Sequence, residues 1–466
     1  MKESPSILFY GKARVGEAVV ALSKSLGIDI VQKDDSDTEF DASEYLAVIP
    51  TPGVPPTNRA HSGGNVLSEL DFAHRYLPKG FKIVSVTGTD GKSTTAWILF
   101  ELFRREFGDD RVFLSGNFEI PFSETVRQIR EKGLKRGVIV IECSSFMLHD
   151  VGSAHSLAML EKLPKGEREG GFKTDHSIFT NLESDHLNWH ADLAEYLRDK
   201  LALARLTTGT AAVNVQVPAR AASWGVKFEA LPQMRFFGSV ESGSKSSKNA
   251  AIAAKESKRP ELATELRDRT DGQNITVTGR NKYRLEETRF SGLHNALNVL
   301  SVAVVGNAMK ICSKRTKTYL KDIGGLAHRL EFVTEKNGVR YVDDSKSTSC
   351  QSLKAALGAF KPKSVRLIVG GSDKGDPFEG LEIPLSEKVA FAALIGATAA
   401  QLSGICEKAG VPHLICADMD EAVSAASEGA SIGQTVLLSP GCASFGLFKD
   451  YLDRANKFRE AVAKIR

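Results

Sequence analysis

The sequence predicts a three-domain α/β protein built on parallel sheets. Its 466 residues exceed what one typical hydrophobic core accommodates. Short apolar runs alternate with amphipathic stretches along almost the whole chain. The apolar runs are bounded by Gly, Asp or Pro, which is typical of strands buried on both faces, and strands that alternate with helices favour parallel sheets.

The predicted strands fall into three groups along the chain. The first strand precedes Gly11–Gly16 and an amphipathic helical pattern, and the third runs into a rigid turn at Thr51–Pro56. A second group surrounds the motifs described below, and a third group occupies the last third of the chain. The predicted strands are residues 6–10, 28–31, 45–49, 83–87, 137–141, 177–180, 211–215, 365–369, 389–395, 413–417 and 435–438.

We place the domain boundaries near Leu77–Pro78 and near Gly324–Gly325. The predicted domains are therefore residues 1–77, 78–325 and 326–466. Two polar stretches, residues 158–173 and 239–269, interrupt the alternation of strands and helices. We interpret both as surface decoration rather than as part of the chemistry.

Composition indicates an ordinary globular protein, with 42% hydrophobic and 25% charged residues. A net charge of +4 is too weak for a nucleic-acid-binding surface and is compatible with an anionic small ligand. The six cysteines form no Cys-x-x-Cys pair, which predicts reduced thiols. The first apolar run is too short for a signal peptide, and the longest, near residues 389–400, is too short to span a bilayer. We therefore expect a cytoplasmic protein that binds neither membrane nor nucleic acid.

The most informative local motif is Gly88-Thr-Asp-Gly-Lys-Ser-Thr-Thr95, between a predicted strand and a predicted helix. Glycines allow successive backbone N–H groups to point at phosphate oxygens, and the following helix adds its positive N-terminal end. Lys92 can then reach the outer phosphates, and Ser93 or Thr94 can ligate Mg²⁺. The motif lacks the first glycine of the usual GxxxxGK[ST] pattern, but its position between strand and helix favours phosphate binding over an ordinary tight turn.

Acidic residues follow two of the neighbouring predicted strands. Glu142 comes after one strand, and Asp185 and His186 lie shortly after another. Ligands of open parallel sheets bind beyond the carboxyl ends of the strands, and Mg²⁺ prefers hard oxygen ligands. A single acid at a strand end is more often a helix cap or a solvated loop residue. Two clusters beside one phosphate loop favour a metal–nucleotide site.

Several segments, taken together and in order, resemble those of the Mur ligases, which build the peptide stem of bacterial cell-wall precursors. The segments are Gly88–Thr95, Glu142–Phe146, Thr180–His190 with Tyr196–Lys200, His294–Asn298, Ala327–Val333 and Asp343–Ser349. Leu437–Phe445, with Tyr451 and Arg454, is similar to the corresponding region of members that add D-glutamate. The resemblance implies Rossmann-like terminal domains around a central domain with a P-loop ATPase-like parallel sheet.

The resemblance also implies an activity, its substrates and its cofactors. It implies an ATP-dependent amide-bond ligase that joins D-glutamate to UDP-N-acetylmuramoyl-L-alanine through an acyl phosphate in peptidoglycan precursor synthesis. ATP and Mg²⁺ are the implied cofactors, with two metal sites, and a monomer is expected. One site would be supported by a carbamylated Lys200, although composition alone predicts that a lysine on such a helix is exposed.

The resemblance assigns roles to individual residues. Lys92, His186 and Lys200 are the implied catalytic residues, and Ser93, Glu142, His186 and Lys200 are the implied metal ligands. The implied nucleotide contacts are Gly88, Thr89, Asp90, Gly91, Lys92, Ser93, Thr94, Asn295, Asn298, Arg329 and Asp344. The implied contacts to the sugar substrate and the amino acid are Asn117, Lys346, Thr348, Lys374, Ser444, Phe445 and Tyr451.

This sequence departs from the family pattern at several of these positions. Asp90 and Asp343 stand where Asn is common, and Phe445 and Tyr451 differ from the expected Leu and Phe. Two alternatives remain open at this stage: another ligase of the same superfamily, and a nucleotide-binding regulator without catalysis. The first, where it adds a diamino acid, would be expected to carry an Asn-Pro-Arg signature in its last domain, and this sequence has none. The second is disfavoured because the four residues that the chemistry most needs, Lys92, Glu142, His186 and Lys200, are all present.

Overall fold

The computed structural model describes residues 7–11, 14–37, 40–118, 120–187, 189–239, 264–266, 274–277, 281–284, 287–288, 290, 293–372, 378, 380–444 and 446–465. The chain divides into two compact units, Met1–Ile323 and Gly324–Arg466. The second boundary predicted from sequence falls beside this division. The further division of the first unit at residue 77 stays a prediction.

The first unit begins with a small parallel sheet of strands β1 to β3, in the order β2-β1-β3. Its strands are Ile7–Tyr10, Ile30–Lys33 and Val48–Pro50. Helix α1 (Arg14–Ser25) connects β1 to β2, and its buried positions Val19 and Leu22 have the spacing of an amphipathic helix.

A nine-stranded sheet forms the centre of the first unit. Its strands, β4 to β12, are Gly80–Thr87, Val112–Gly116, Arg136–Glu142, His176–Phe179, Ala211–Asn214, Met234–Ser239, Thr264–Leu266, Asn274–Val277 and Asn281–Arg284. They lie in the order β12-β11-β10-β9-β8-β7-β4-β6-β5. Pairing is parallel from β5 to β10 and antiparallel where β11 joins β10 and β12.

Helices cover both faces of this sheet. In chain order, α2 to α10 are Glu69–Tyr76, Lys92–Phe107, Phe122–Glu131, Ser145–Leu148, Ala154–Lys162, Leu193–Arg205, Gln216–Ser223, Leu293–Ala308 and Ser313–Asp322. Short 3₁₀ helices occur at Ala42–Glu44, Arg59–His61 and Asp109–Arg111. Strand β4 is central, and alternate residues on it enter different cores. Val84 and Val86 pack with α3 and α9, whereas Phe81 and Ile83 share a core with α2, α4 and β1.

The second unit is a six-stranded sheet in the order β13-β14-β18-β15-β16-β17. Strands β13 to β18 are Glu331–Lys336, Val339–Asp343, Val365–Gly370, Val389–Ile395, His413–Ile415 and Thr435–Leu438. Helices α11 to α15 are Cys350–Gly358, Glu382–Lys388, Ala399–Ala409, Met419–Ser427 and Tyr451–Lys464. All pairs are parallel except β13 with β14.

The structure confirms the α/β class and corrects several details. The antiparallel edge strands β11, β12 and β13 were not expected. The stretch 158–173 is not surface decoration, because it continues helix α6 and places Phe172 in the core. Buried Asp71 of α2 accepts hydrogen bonds from Gly152 N, Ser156 Oγ and Phe172 N. Most of the stretch 239–269 lies outside the described residues. Its role as surface decoration therefore stays a prediction.

The cysteines form no disulfide bonds. All six are free, as the sequence indicated, and only Cys312 is exposed. Within the described parts of the chain, no helix combines the length and the apolar character needed to cross a bilayer.

Candidate active site

The phosphate loop lies between the end of β4 and the start of α3. Gly88 and Gly91 have positive φ angles of 143° and 75°, which side-chain-bearing residues rarely adopt. Neither position has room for a Cβ atom. A Cβ at Gly91 would lie 2.6 Å from Oδ1 of Asn298, and one at Gly88 would collide with the hydroxyl of Thr180. The two glycines therefore give the loop its shape and bring it against neighbouring elements.

Residues after β7 hold the loop in place. The side-chain oxygen of Asn181 accepts hydrogen bonds from the backbone N–H groups of Thr89 and Asp90, at 3.1 and 2.8 Å. Thr180 Oγ1 donates to the Asp90 carbonyl at 2.6 Å, and Tyr196 Oη lies 2.9 Å from Thr89 Oγ1. Sequence reasoning did not select Asn181 or Tyr196. The position of Asn181 directly after a strand beside the loop was the signal that could have identified it.

The N-terminal end of helix α3 can bind an anion. Its N-terminal N–H groups follow the loop, and Ser93 and Thr94 lie in its first turn. Lys92 Nζ donates a hydrogen bond to the Thr89 carbonyl at 2.7 Å, so its charge lies at the loop. This arrangement can bind the phosphates of a nucleotide.

Lys200 is buried, although composition predicts an exposed helical lysine. It is 1% exposed on α7, and Nζ donates to the Gly88 carbonyl at 2.8 Å and lies 4.5 Å from the Tyr196 ring centroid. Burial, followed by the charge of Lys92, lowers the pKa of Lys200 well below its usual range. An amine in this setting loses its proton easily and can become a nucleophile.

Glu142 lies at the end of β6 and has one unsatisfied oxygen. The residue is 2% exposed, and Oε1 accepts a hydrogen bond from Asn117 Nδ2 at 2.8 Å. Oε2 is buried and has no hydrogen-bond partner within the described residues. A buried carboxylate oxygen without a partner is costly, and a divalent cation would satisfy it. Glu142 therefore fits the metal-ligand role that the resemblance implies.

His186 lies in the loop after β7 and has a positive φ of 56°. Its ring is 4.7 Å from that of Phe146, and Nε2 is 3.3 Å from Asp185 Oδ2. Burial lowers the pKa of His186 and outweighs the opposing charge of Asp185, and the positive charge of Lys92 acts in the same direction as burial. The ring is therefore neutral near pH 7 and has a free electron pair for a ligand.

The two asparagines of α9 lie beside the loop. Asn298 is buried against Gly91, and its Nδ2 is 3.4 Å from Oδ1 of Asn295.

A cavity opens beside Asn117, the residue that donates a hydrogen bond to Glu142. Its wall includes the loop Thr51–Gly53, Asn117 and Phe146. It also includes Glu69, which sequence reasoning missed and which accepts hydrogen bonds from the backbone N–H and hydroxyl of Ser123.

The second unit carries its own set of predicted residues. Asp344 is buried after β14, and accepts hydrogen bonds from Leu330 N at 3.1 Å and Ser439 Oγ at 2.7 Å. Burial raises the pKa of Asp344 to about 6. Arg329 lies in the turn before β13, and its buried Nε has no hydrogen-bond partner within the described residues.

The described residues expected around the amino acid lie in two adjacent loops and, in the case of Tyr451, at the start of α15. Lys346 Nζ is 5.1 Å from the Tyr451 ring centroid, Ser444 is buried, and Thr348 is partly exposed. Buried Arg454 joins these loops, because it donates to the carbonyls of Ser345 and Cys442 at 2.7 and 3.1 Å. The predicted contacts Lys374 and Phe445 lie outside the described residues.

A cluster of His328, Glu331 and Asp343 lies nearby, with ligand atoms within 4.8 Å of one another. Arg459 already contacts Glu331 at 2.6 Å and Asp343 at 3.3 Å, and His328 Nδ1 is 2.7 Å from Asp343 Oδ2. The cluster is therefore neutralised internally, and we interpret it as a charge network rather than as a metal site.

Together, the phosphate loop, the buried lysine and the strand-end glutamate can bind a metal–nucleotide complex. The family described as Mur ligase middle domain matches residues 86–306, and the one described as Mur ligase, glutamate ligase domain, matches residues 328–442. This chain belongs to the Mur ligase family, whose members are ATP-dependent ligases that use Mg²⁺.

The chain is most readily compared with relatives of one activity. The UDP-N-acetylmuramoylalanine–D-glutamate ligase of Syntrophus aciditrophicus is 30% identical over 477 residues, covering 97% of this chain and 93% of the relative. The enzyme of the same name from Aquifex aeolicus is 29% identical over 464 residues, covering 98% of both chains.

Solved structures support the fold. A pseudomurein peptide ligase type C from Methanothermus fervidus superposes with a TM-score of 0.55 at 17% identity, over 99% of this chain and 100% of that one. The UDP-N-acetylmuramate–alanine ligase of Thermotoga maritima gives a TM-score of 0.54 at 16% identity, over 98% and 99%. At such low identity these likenesses establish the fold alone.

Proposed function

We propose that this chain joins D-glutamate to UDP-N-acetylmuramoyl-L-alanine in the cytoplasm, at the expense of ATP, in peptidoglycan precursor synthesis. The observation that carries the proposal is the pairing of an anion-binding loop with two buried groups. These groups are the Glu142 oxygen Oε2, which has no hydrogen-bond partner within the described residues, and the Lys200 amine, whose acceptor is the Gly88 carbonyl. The near-full-length similarity to D-glutamate ligases supports the choice of substrates.

The first step is phosphoryl transfer to the alanyl carboxylate. A carboxylate oxygen attacks the γ-phosphorus of ATP, the bond to the β-phosphate oxygen breaks, and ADP leaves. Such a reaction depends mainly on positioning and on neutralising charge. Lys92 Nζ and the N–H groups at the start of α3 would hold the outer phosphates. Asn295 and Asn298 lie beside the same loop.

The second step forms the amide bond. The amine of D-glutamate attacks the acyl carbon, loses a proton, and phosphate leaves with the oxygen that came from the carboxylate. D-Glutamate has two carboxylates, with which the positively charged side chains of Lys346 and Lys374 would pair. Arg454 would keep the two loops that carry Ser444 and Lys346 in register.

Mg²⁺ would supply charge neutralisation at the transferring phosphoryl group. Ser93 and Glu142 are the proposed ligands of one site, and His186 and a carbamylated Lys200 are proposed for a second. Carbamylation requires an uncharged amine: Nζ adds to the carbon of CO₂, an N–C bond forms, and one proton leaves. The complete burial of Lys200 supports this chemistry, because a neutral amine is favoured there.

The cavity beside Asn117 is the proposed site for the sugar nucleotide. Asn117 connects it to Glu142, so the reacting carboxylate would lie at the metal edge of the cavity. We propose that the protein acts as a monomer and that Asp344 and Arg329 contact the nucleotide.

A ligation assay tests the proposal. Purified full-length protein is incubated with ATP, Mg²⁺, UDP-N-acetylmuramoyl-L-alanine and one amino acid at a time, and phosphate release and the product mass are measured. D-Glutamate should give both, and L-glutamate, D-aspartate and a diamino acid should not. Turnover with another amino acid alone would reassign the protein within its family. A complete lack of ADP formation under all conditions would favour a non-catalytic regulator.

A further inference from the structure

A buried chain of polar side chains runs behind the proposed metal site. It begins at Asp199, the residue before Lys200 on α7. Asp199 Oδ2 lies 2.7 Å from His149 Nδ1, which follows α5, and 3.4 Å from His190 Nδ1, in the loop before α7. One carboxylate therefore faces two histidines from separate elements.

The other end of the chain reaches the end of strand β6. His190 Nε2 lies 2.9 Å from the hydroxyl of Ser145, the first residue of α5. Ser145 follows Glu142 closely in sequence, with only Cys143 and Ser144 between them. The polar chain thus connects the helix that carries Lys200 with the strand end that carries Glu142.

The polar atoms of these residues contact one another inside the protein, where Ser145, His190 and Asp199 are 1%, 2% and 4% exposed. A role of these residues in the reaction would therefore be exerted through their neighbours. A buried polar group that loses its partner costs about 1–3 kcal/mol, so a connected network of this kind favours a single arrangement of the elements that it joins.

The His190 ring also supports the site from behind. It stacks on Phe146 at a centroid distance of 5.6 Å, and it lies 5.3 Å from the ring of Tyr196. Phe146 in turn contacts the ring of His186, and Tyr196 contacts both the phosphate loop and the Lys200 amine. A shift of His190 would therefore reach His186, Lys200 and the loop together.

We propose that Asp199 is a positioning residue that, through His149, His190 and Ser145, holds Lys200 and Glu142 in the arrangement needed for cation binding. This inference rests on the proposed function, in which Glu142 and a carbamylated Lys200 are cation ligands. The contact between Asp199 and His190 is the loosest in the network, because at 3.4 Å it leaves His190 Nδ1 without a hydrogen bond within the described residues.

Three variants of the full-length protein test this role. Asp199→Ala removes the acceptor, whereas Asp199→Asn keeps an oxygen that can accept from the histidines. Asp71→Ala is the matched control, because Asp71 is also a buried carboxylate with several hydrogen bonds but holds α2 and the segment after α5. Melting temperature is measured for all three, so that any loss of stability is known.

Two measurements report on the site without relying on turnover. Mn²⁺ affinity in the ADP complex is measured by electron paramagnetic resonance, and carbamate on Lys200 by ¹³C NMR with labelled bicarbonate. We expect Asp199→Ala to weaken Mn²⁺ binding about 10-fold, the lower end of the loss that follows removal of the residues supporting metal ligands. The same variant should lose the carbamate signal. Asp199→Asn should stay near wild type, and Asp71→Ala should lose stability with unchanged Mn²⁺ affinity.

The outcomes separate the two proposals. If the wild-type protein shows no carbamate signal, the proposed role of Lys200 fails, and the Mn²⁺ data alone decide the role of Asp199. Unchanged Mn²⁺ affinity in Asp199→Ala would overturn the positioning role. Equal weakening in Asp71→Ala would also overturn it, since the effect would then follow from general destabilisation.

Discussion

The carboxyl edges of the two large sheets differ in how their buried charges are satisfied. At the nine-stranded sheet, Glu142 keeps an oxygen without a partner, and the Lys200 amine has a carbonyl rather than a carboxylate as its hydrogen-bond acceptor. At the six-stranded sheet, Asp343 is bonded to His328 and Ser345, and Asp344 to Leu330 N and Ser439.

This difference indicates where ligands are required. Unsatisfied buried charge is costly, so a cation and phosphates would complete the first edge. The second edge is largely complete without a ligand, and its networks shape loops that present Lys346 and Ser444. Among the described residues of the second unit, the exceptions are the Nε atoms of Arg329 and Arg454, of which Arg329 is a predicted nucleotide contact.

The largest effect on turnover is expected from Lys92→Ala at the carboxyl edge of the nine-stranded sheet. Loss of this charge from the phosphoryl transition state should reduce turnover by about 10²-fold or more. Steady-state ADP formation measures it. Lys82→Ala, an exposed lysine on β4, is the matched control and should retain activity. Near-normal turnover of Lys92→Ala would refute its role.

Lys200→Ala is expected to lower turnover by a similar order, about 10²-fold, because the second cation loses its support. Short carboxylic acids such as acetate should restore part of the rate, since they replace the missing carboxylate. Initial rates are measured over a range of acetate concentrations, with chloride at equal ionic strength as the control. A complete lack of rescue would count against a carbamate.

Asp344→Asn tests the carboxyl edge of the six-stranded sheet through the pH dependence of the free energy of unfolding. Between the usual pKa of 3.8 and the folded value of about 6, the folded protein holds a proton that the unfolded chain releases. The contribution of Asp344 to stability therefore falls as pH rises from about 4 to 6, by up to about 3 kcal/mol.

The Asn variant lacks this titration. Its free energy of unfolding in urea, measured relative to wild type, should therefore rise between pH 4.5 and pH 7. A difference between the two proteins that does not change with pH would show that the Asp344 carboxyl has an ordinary pKa.

The smallest effect is expected from Asp343→Asn. The amide oxygen can still accept from His328, and Glu331 continues to pair with Arg459, but the amide nitrogen that then faces Ser345 cannot accept from its N–H and hydroxyl. The free energy of unfolding should fall by about 1–2 kcal/mol, as expected for buried donors that lose an acceptor, which is below the 3–5 kcal/mol typical of a broken buried ion pair. A loss of 3 kcal/mol or more would show that Asp343 carries the charge balance of this network. Urea unfolding at pH 7.5 is the measurement.

The sequence itself selected residues at the first edge, whereas those at the second edge were selected by similarity to a family. Periodicity and strand-end position selected the phosphate loop, Glu142 and His186, and the structure places each of them at or after the end of a strand. The burial of Lys200 could not be read from its own helix, since burial there depends on packing against the loop and Tyr196. Only similarity to a family selected it.

The residues that sequence reasoning missed belong to tertiary networks. Asp199, His149 and His190 lie far apart or on polar-looking segments, and no local pattern shows that they meet. Arg454 appeared only as part of a similar segment, yet its two backbone acceptors join loops that are about a hundred residues apart. The stretch 158–173 was misjudged because its polar composition hides the few residues, such as Phe172, that anchor it.

Oxygen transfer tests the central claim most directly. UDP-N-acetylmuramoyl-L-alanine labelled with ¹⁸O in the alanyl carboxylate is converted with ATP and D-glutamate, and the released phosphate is analysed by mass spectrometry. Attack of the carboxylate on the γ-phosphorus predicts one ¹⁸O atom in each phosphate released, in proportion to the label in the substrate. Amide product accompanied by unlabelled phosphate would contradict an acyl phosphate and the mechanism proposed for this site.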